Sequence, residues 1–438
     1  MIKTILPLSS IIALRFLGLF IVLPVLSVYA LQLDNANEVL VGITIGGYAI
    51  TQMFLQIPFG ILSDKIGRKV TIAIGLLIFI AGSLVCAWAS DIYTLMIGRL
   101  LQGSGAIGAV GTAMISDMVK EEVRAKAMAV MGGSIAASFA ISMLIGPIIG
   151  GYFGADKLFL ITAILCVFAL ILLFTKVPNP PKISHSYALD ESKITHIIKD
   201  KDLMKMNITN MLQKGMMTLA FLIIPILMLK EFDWTKQELW KVYLPAMICG
   251  VIAMGPSAVF GEKKHKSKEL LMLGIILFAI SYLIMGYSNS VLPFVIGITL
   301  FFIGFNIHEP LLQSMASKYA KVHQKGAALG IFNAFGYIGT FFGGVLGGFL
   351  LKNYGITHIS WVILVICLFW IFLIASLRHP GINKNIYISY DEINLQNIEN
   401  LHNVEGIIEW YKNESEKLII IKYDSKITDK EAIVNTIK

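Results

Sequence analysis

The chain has 438 residues, of which 56% are hydrophobic and only 15% charged. Soluble globular domains carry about 25% charged residues, so this sequence has too little charge to cover a compact body in water, and a soluble enzyme is excluded. The formal charge of +8 does not point to nucleic acid. Residues 380–438 hold seven Lys against ten Asp and Glu, leaving −3 there and +11 on the remainder. That excess lies in alternate short loops, which is a signal of membrane orientation.

Apolar runs of membrane-spanning length, roughly 17–25 residues, recur from the first ten residues to about residue 377. They predict twelve helices at 5–31, 39–63, 70–90, 93–118, 127–152, 156–176, 204–230, 238–260, 269–288, 291–317, 326–351 and 356–377. The first run is too long for a signal-peptide core and no small-residue cleavage site follows it, so it is read as a retained helix. The expected fold is an all-α polytopic membrane protein with a small α+β tail. Its parts are an N-terminal six-helix half (1–176), a central loop (177–203) opened by Pro178, Pro180 and Pro181, a C-terminal half (204–378) and a tail domain (380–438). Cys86, Cys166, Cys249 and Cys367 fall in four different apolar runs with no CxxC pair, so neither a disulfide nor a metal site is expected. No cofactor is expected either.

Orientation follows from Lys and Arg. Nineteen lie in one set of loops and their flanks, from Lys65, Arg68 and Lys69 to Lys318, Lys321 and Lys325, against five on the other side. Positive loops stay inside, so both termini and the central loop are expected in the cytoplasm of a cell bounded by this (bacterial inner) membrane. An internal repeat supports two halves. Gly133, Ser142, Gly146, Pro147, Gly150 and Gly151 of helix 5 are matched, 197 residues later, by Gly330, Gly339, Gly343, Gly344, Gly347 and Gly348 of helix 11. Two parallel six-helix halves form a known transporter architecture, with the substrate site between them near the midplane. In the tail, Asn385–Tyr390 reads as a strand, Leu395, Ile398 and Leu401 recur at helical spacing, and Ile407–Trp410 and Leu418–Tyr423 read as a hairpin. A last helix opens at Thr428, with Glu431 completing a capping box. The order βαββα suggests a split-βαβ-like domain.

The loop between helices 2 and 3 reads Gly60-Ile-Leu-Ser-Asp64-Lys65-Ile-Gly67-Arg68-Lys69. Gly60 permits close helix approach, Asp64 can accept free N–H groups at a helix N-terminus, and Arg68 can pair bidentately with a carboxylate. This loop resembles the hallmark of the major facilitator superfamily, Gly-x-x-x-Asp-x-x-Gly-Arg-Lys/Arg. The resemblance implies a conformational latch closed in the outward-open state, with Asp64 facing the start of helix 11 near Gly326 and Arg68 paired with Asp117. A basic loop serving orientation alone is the plainer reading. The second-half copy, Gly261-Glu262-Lys263-Lys264-His265-Lys266, lacks the Asp and the Gly-Arg. Helix 4 carries Arg99-Leu-Leu-Gln102-Gly103, similar to a family motif whose Arg is implicated in proton coupling; a structural Arg bonded to the backbone of helix 1 is the alternative. Gly146-Pro147-Ile-Ile-Gly150-Gly151 resembles the family's exporter motif, with Ser142 in place of its middle Gly. Helix 1 (Leu14 to Val25), Phe305 to Pro310 in helix 10 and the cytoplasmic tail resemble a narrower bacterial set, the YajR group, whose tail is ferredoxin-like. That group has Leu-Glu-Ala where this chain has His308-Glu309-Pro310.

A charge at the centre of a spanning helix costs at least ~2.5–3.5 kcal/mol on insertion scales, so deep ionisable groups are functional candidates. They are Arg15, Arg99, Lys214 and the adjacent His308 and Glu309, on helices 1, 4, 7 and 10. In the family these four helices line the central cavity. At 1.5 Å per residue, Lys214 and Glu309 lie at similar depths and can meet. Glu309 is the leading proton-carrier candidate and His308 the runner-up, since an ordinary imidazole titrates near 6.5; a fixed Lys214–Glu309 ion pair is the alternative. The expected function is proton-coupled antiport, exporting a small hydrophobic or amphipathic compound by a monomer in the lipid bilayer. An uptake symporter of the same fold, and a membrane sensor acting through a tail that binds a regulatory ligand or partner, are the competing readings. No nucleotide-binding loop is present to suggest ATP.

Overall fold

The computed structural model describes residues 2–119, 121–178, 198–263, 266–320, 325–378, 383–392, 401, 404–413, 417–425 and 427–437. Among the described residues, ten segments are long and apolar enough to cross a membrane, and two departures from regular helix reconcile them with the twelve predicted spans. The span α4 is split into Ile92–Ser104 and Gly108–Met118. Helices α11 and α12 run together over Lys325–Ala375 and turn at Gly355, whose φ of 72° favours a residue without Cβ. The first span, α1, is also interrupted, over Ile2–Phe20 and Leu23–Ala30, with Pro24 at the start of the second piece. The others are α2 (Glu38–Ile66), α3 (Arg68–Ala87), α5 (Glu121–Phe153), α6 (Ala155–Lys176), α7 (Lys201–Lys230), α8 (Trp240–Lys263), α9 (Ser267–Tyr287) and α10 (Val291–Tyr319).

Several helix starts are written in single side chains. Asn37 accepts from the amides of Val39 and Leu40 at 3.0 Å and starts α2. Asp91 does the same for α4, and Asp200 for α7, where it accepts from Asp202 and Leu203. Asp200 moves the start of α7 three residues ahead of the predicted 204.

The repeat in the sequence becomes a repeat in packing. On α5, Ser138 and Ser142 donate to the carbonyls of Ala13 and Leu17, and a Cβ at Gly146 would strike Ile21 O, so α5 lies against α1. On α11, a Cβ at Gly339 or Gly343 would strike the carbonyls of Met211 or Gly215, so α11 lies against α7 in the same manner. Small residues let backbones meet where lipid offers no hydrophobic drive for association.

The tail holds a three-stranded antiparallel sheet, β1 (Asn383–Ser389), β2 (Ile407–Asn413) and β3 (Leu418–Asp424), in the order β1-β3-β2. Ile386, Ile388, Ile419, Ile421 and Tyr423 pack with Ile433 and Ile437 of a last helix, α13 (Lys430–Ile437). The cap of α13 is Asp429, whose Oδ1 accepts from Ala432 N at 2.8 Å. The expected Thr428–Glu431 box is therefore displaced by one residue, because Asp429 is itself a strong N-cap. The helix predicted around Leu395 and Ile398 falls outside the described residues.

Candidate functional site between the two halves

Among the described residues, the two halves meet tightly at the extracellular end. On the extracellular side α2 and α11 cross at backbone contact: a Cβ at Gly42 would strike Gly344 O, one at Gly46 would lie 2.8 Å from Thr340 O, and one at Gly348 would strike Glu38 O. Lys230 bridges to Glu38 at 3.3 Å, and Lys236 donates to Gln32 at 2.5 Å, both across the halves. Gly151 abuts the backbone of Gln237, and Gly150 lies against Val25. At the cytoplasmic ends of α2, α5, α8 and α11 the situation reverses. A Cβ at Gly60, Gly132, Gly133, Gly255, Gly326 or Gly330 would meet nothing within 4 Å. The molecule is closed outside and open to the cytoplasm.

That geometry explains the latch residues. Arg68 Nε bonds Asp117 Oδ2 at 2.9 Å, as expected. Asp64, 63% exposed, pairs with Arg68 at 2.5 Å, whereas the expected neighbour Gly326 has open space around it. Asp64 is thus paired within its own loop. Gly67, at φ 98°, ends α2 and makes the turn into α3. Lys69 donates to Val177 O at the end of α6 at 2.8 Å, an interaction the motif did not announce. Gly60 makes no close helix approach here: a Cβ at that position would meet nothing within 4 Å.

Of the deep charges, two are enclosed within the N-terminal half. Arg99 is fully buried. It donates to Gln102 Oε1 at 2.7 Å and to the carbonyls of Thr44 and Ile45, and its guanidinium lies 4.8 Å from the Tyr48 ring centroid. Gln102 in turn donates to Ser83. Arg15, also fully buried, lies 5.0 and 5.1 Å from the Phe16 and Phe79 ring centroids and donates to Gln52 Oε1 at 3.0 Å. Gln52 Nε2 donates to Tyr337 Oη of α11 at 2.7 Å, which carries the chain of bonds across to the other half. Tyr337 was not among the sequence candidates.

Lys214 and Glu309 do meet, at 2.5 Å, with side chains 27% and 36% exposed. Gln213 Nε2 also donates to Glu309 Oε1, at 3.0 Å. Immediately toward the outside sits an aromatic cluster that single-residue reasoning missed. Phe139 of α5 lies 5.2 Å from Phe20, 5.6 Å from Phe305 and 6.1 Å from Phe221, ring centre to ring centre. Phe305 also lies 5.3 Å from Lys214 Nζ. The ion pair therefore sits on the cytoplasmic side of a ring cluster that joins α1 and α5 to α7 and α10.

His308, placed with Glu309 as a cavity residue from sequence, is corrected. Its ring is fully buried between Phe278 and Trp370, and Nε2 bonds Leu271 O at 2.8 Å. Adjacent helical residues point about 100° apart, so Glu309 and His308 face different surroundings. Pro310 is accommodated inside α10.

A two-half helical bundle, closed at one face and carrying a partly exposed ion pair at its centre, defines a membrane transport protein. The chain belongs to the Major Facilitator Superfamily, whose model matches residues 8–266 and 206–386. It is 33% identical over 438 residues to the inner membrane transport protein YajR of Escherichia coli (strain K12), covering 98% of this chain and 96% of that one. It is 26% identical to the quinolone resistance protein NorA of Staphylococcus aureus (strain MSSA476), over 77% of this chain and 87% of that protein. Among solved structures, a bacterial homologue of the human lysosomal transporter Spinster aligns with a TM-score of 0.68 at 13% identity, covering 85% of this chain and 96% of the other. That likeness shows the fold alone. The protein is an integral inner-membrane transporter, not an enzyme.

Proposed function

We propose that the protein is a proton-coupled antiporter that exports a small hydrophobic or amphipathic compound. The observation that carries this reading is the Lys214–Glu309 pair, 2.5 Å long, with side chains 27% and 36% exposed, set on the cytoplasmic side of the Phe139 cluster. A carboxylate in that position has two stable partners, the Lys214 ammonium and a proton. Protonation of Glu309 removes its charge and releases Lys214, which lies against Phe305, a member of the ring cluster. The proton state is thereby tied to the packing that closes the outer side, and the halves rock about the site. Ion-pair rearrangement of this kind needs water access, which the exposure of both side chains supplies.

Export is supported by the packing of Gly146, Gly150 and Gly151 of α5, with Pro147 between them, against α1 and the entry to α8 in the closed outer half, and by the similarity to a protein named for quinolone resistance. The latch residues Gly60, Asp64, Gly67, Arg68, Lys69 and Asp117 would re-form their contact with α11 when the cytoplasmic side closes. The test is a transport screen of quinolones and amphipathic dyes in inverted vesicles. Wild-type protein should accumulate at least one probe and move protons in the opposite direction; Glu309→Gln should lose the proton movement. Counter-movement of protons that survives in Glu309→Gln would sink the reading.

A further inference from the structure

The tail sheet presents two faces, and both are covered. Side chains alternate along a strand. On β3, Ile419, Ile421 and Tyr423 enter the tail's own core with α13. Ile420 and Lys422 point the other way and yet are 0% and 5% exposed. Lys422 explains what lies there: its Nζ donates to Lys318 O at 2.8 Å and to Ala320 O at 2.7 Å. These are carbonyls at the C-terminal end of α10, where a helix lacks internal donors and carries partial negative charge. A buried ammonium is costly unless hydrogen-bonded; here the helix end satisfies it.

The linker between α12 and the tail makes a matching set of ties. Arg378 Nε bonds Asp202 Oδ2 near the start of α7 at 3.1 Å. Lys205 Nζ, one turn further along α7, donates to Ser376 O at 2.6 Å. Tyr319 Oη, at the end of α10, donates to Arg378 O. The tail and its linker thus fasten the cytoplasmic ends of α7 and α10 together, and those two helices carry Lys214 and Glu309.

We propose that the cytoplasmic sheet is an intramolecular clamp: Lys422 of β3 caps the end of α10 and, with the Arg378–Asp202 tie to α7, holds the two helices in the register that keeps the Lys214–Glu309 pair closed. The surface that binds is the sheet face bearing Ile420 and Lys422, and its partner is the α10 terminus of the same chain. Release of the sheet frees α10 at its cytoplasmic end and changes the proton affinity of the pair. This step rests on the antiport reading, whereas the docking itself does not.

The test uses the full chain in lipid nanodiscs, compared with Lys422→Met and with a chain ended after Arg378. Hydrogen–deuterium exchange of residues 316–320 should be about ten-fold faster or more in both variants, the effect expected from losing hydrogen bonds to a charged donor. The pH midpoint of probe transport should shift in both. Unchanged exchange at 316–320 overturns the clamp. Faster exchange with an unmoved pH midpoint overturns its link to the ion pair. The separate variant Glu309→Gln keeps the two ideas apart: if it retains proton coupling, the antiport reading fails while the exchange result still decides the docking.

Discussion

The two halves handle the charge they carry inside the membrane in opposite ways. In the N-terminal half Arg15 and Arg99 are fully buried, flanked by rings and bonded to Gln52, Gln102 and main-chain carbonyls, with no carboxylate bonded to either among the described residues. In the C-terminal half Lys214 and Glu309 form an ion pair whose side chains are partly exposed. The first arrangement fixes charge by enclosing it; the second leaves charge where it can be exchanged. The difference is one of enclosure against exposure, between two halves that share one sequence repeat.

Each side of that contrast can be broken. The largest loss of stability is expected from Arg99→Ala, which orphans the Gln102 side-chain oxygen inside the N-terminal half at a cost of about 1–3 kcal/mol. Thermal unfolding in detergent should show the loss while proton-coupled transport survives; loss of coupling in a protein of unchanged stability would move Arg99 into the working machinery. Lys214→Met should cost less, about 1 kcal/mol, below the ~3–5 kcal/mol of a fully buried pair because water solvates the carboxylate left behind. Its signature should instead be an altered pH profile of transport, read in proteoliposomes. Asp64→Asn should change the stability of the cytoplasm-open state by no more than about 0.5 kcal/mol, since the carboxylate is 63% exposed. Spin labels across the cytoplasmic opening should nevertheless report fewer closed molecules, because the closed state is the one in which Asp64 is expected to gain a partner.

Much of this was legible in the sequence, for physical reasons that can be named. Span length, the basic loops and the 197-residue repeat are local or periodic signals, and they led to the helices and the two-half layout; that α5 lies on α1 and α11 on α7 came from the structure. Equal depth along two helices brought Lys214 and Glu309 together. Depth says nothing of direction around a helix, and that is why His308, one residue from Glu309, was misplaced into the cavity. The Phe139 cluster, Tyr337 and Lys422 were missed because each acquires its meaning from a partner far away in the chain: Phe221, Gln52 and Ala320 respectively. The latch motif was readable as residues, but whether it is shut depends on the conformation of the whole bundle, which no short segment encodes.

The account stands on Glu309 as the group that exchanges its ion pair for a proton. The most direct measurement is proton flux in proteoliposomes holding wild-type protein or Glu309→Gln, with the same transported probe added to both. Wild type should move protons against the probe, and Glu309→Gln should move none while remaining folded and able to bind. Equal proton flux in the two would contradict the account, and would return the Lys214–Glu309 contact to a purely structural role.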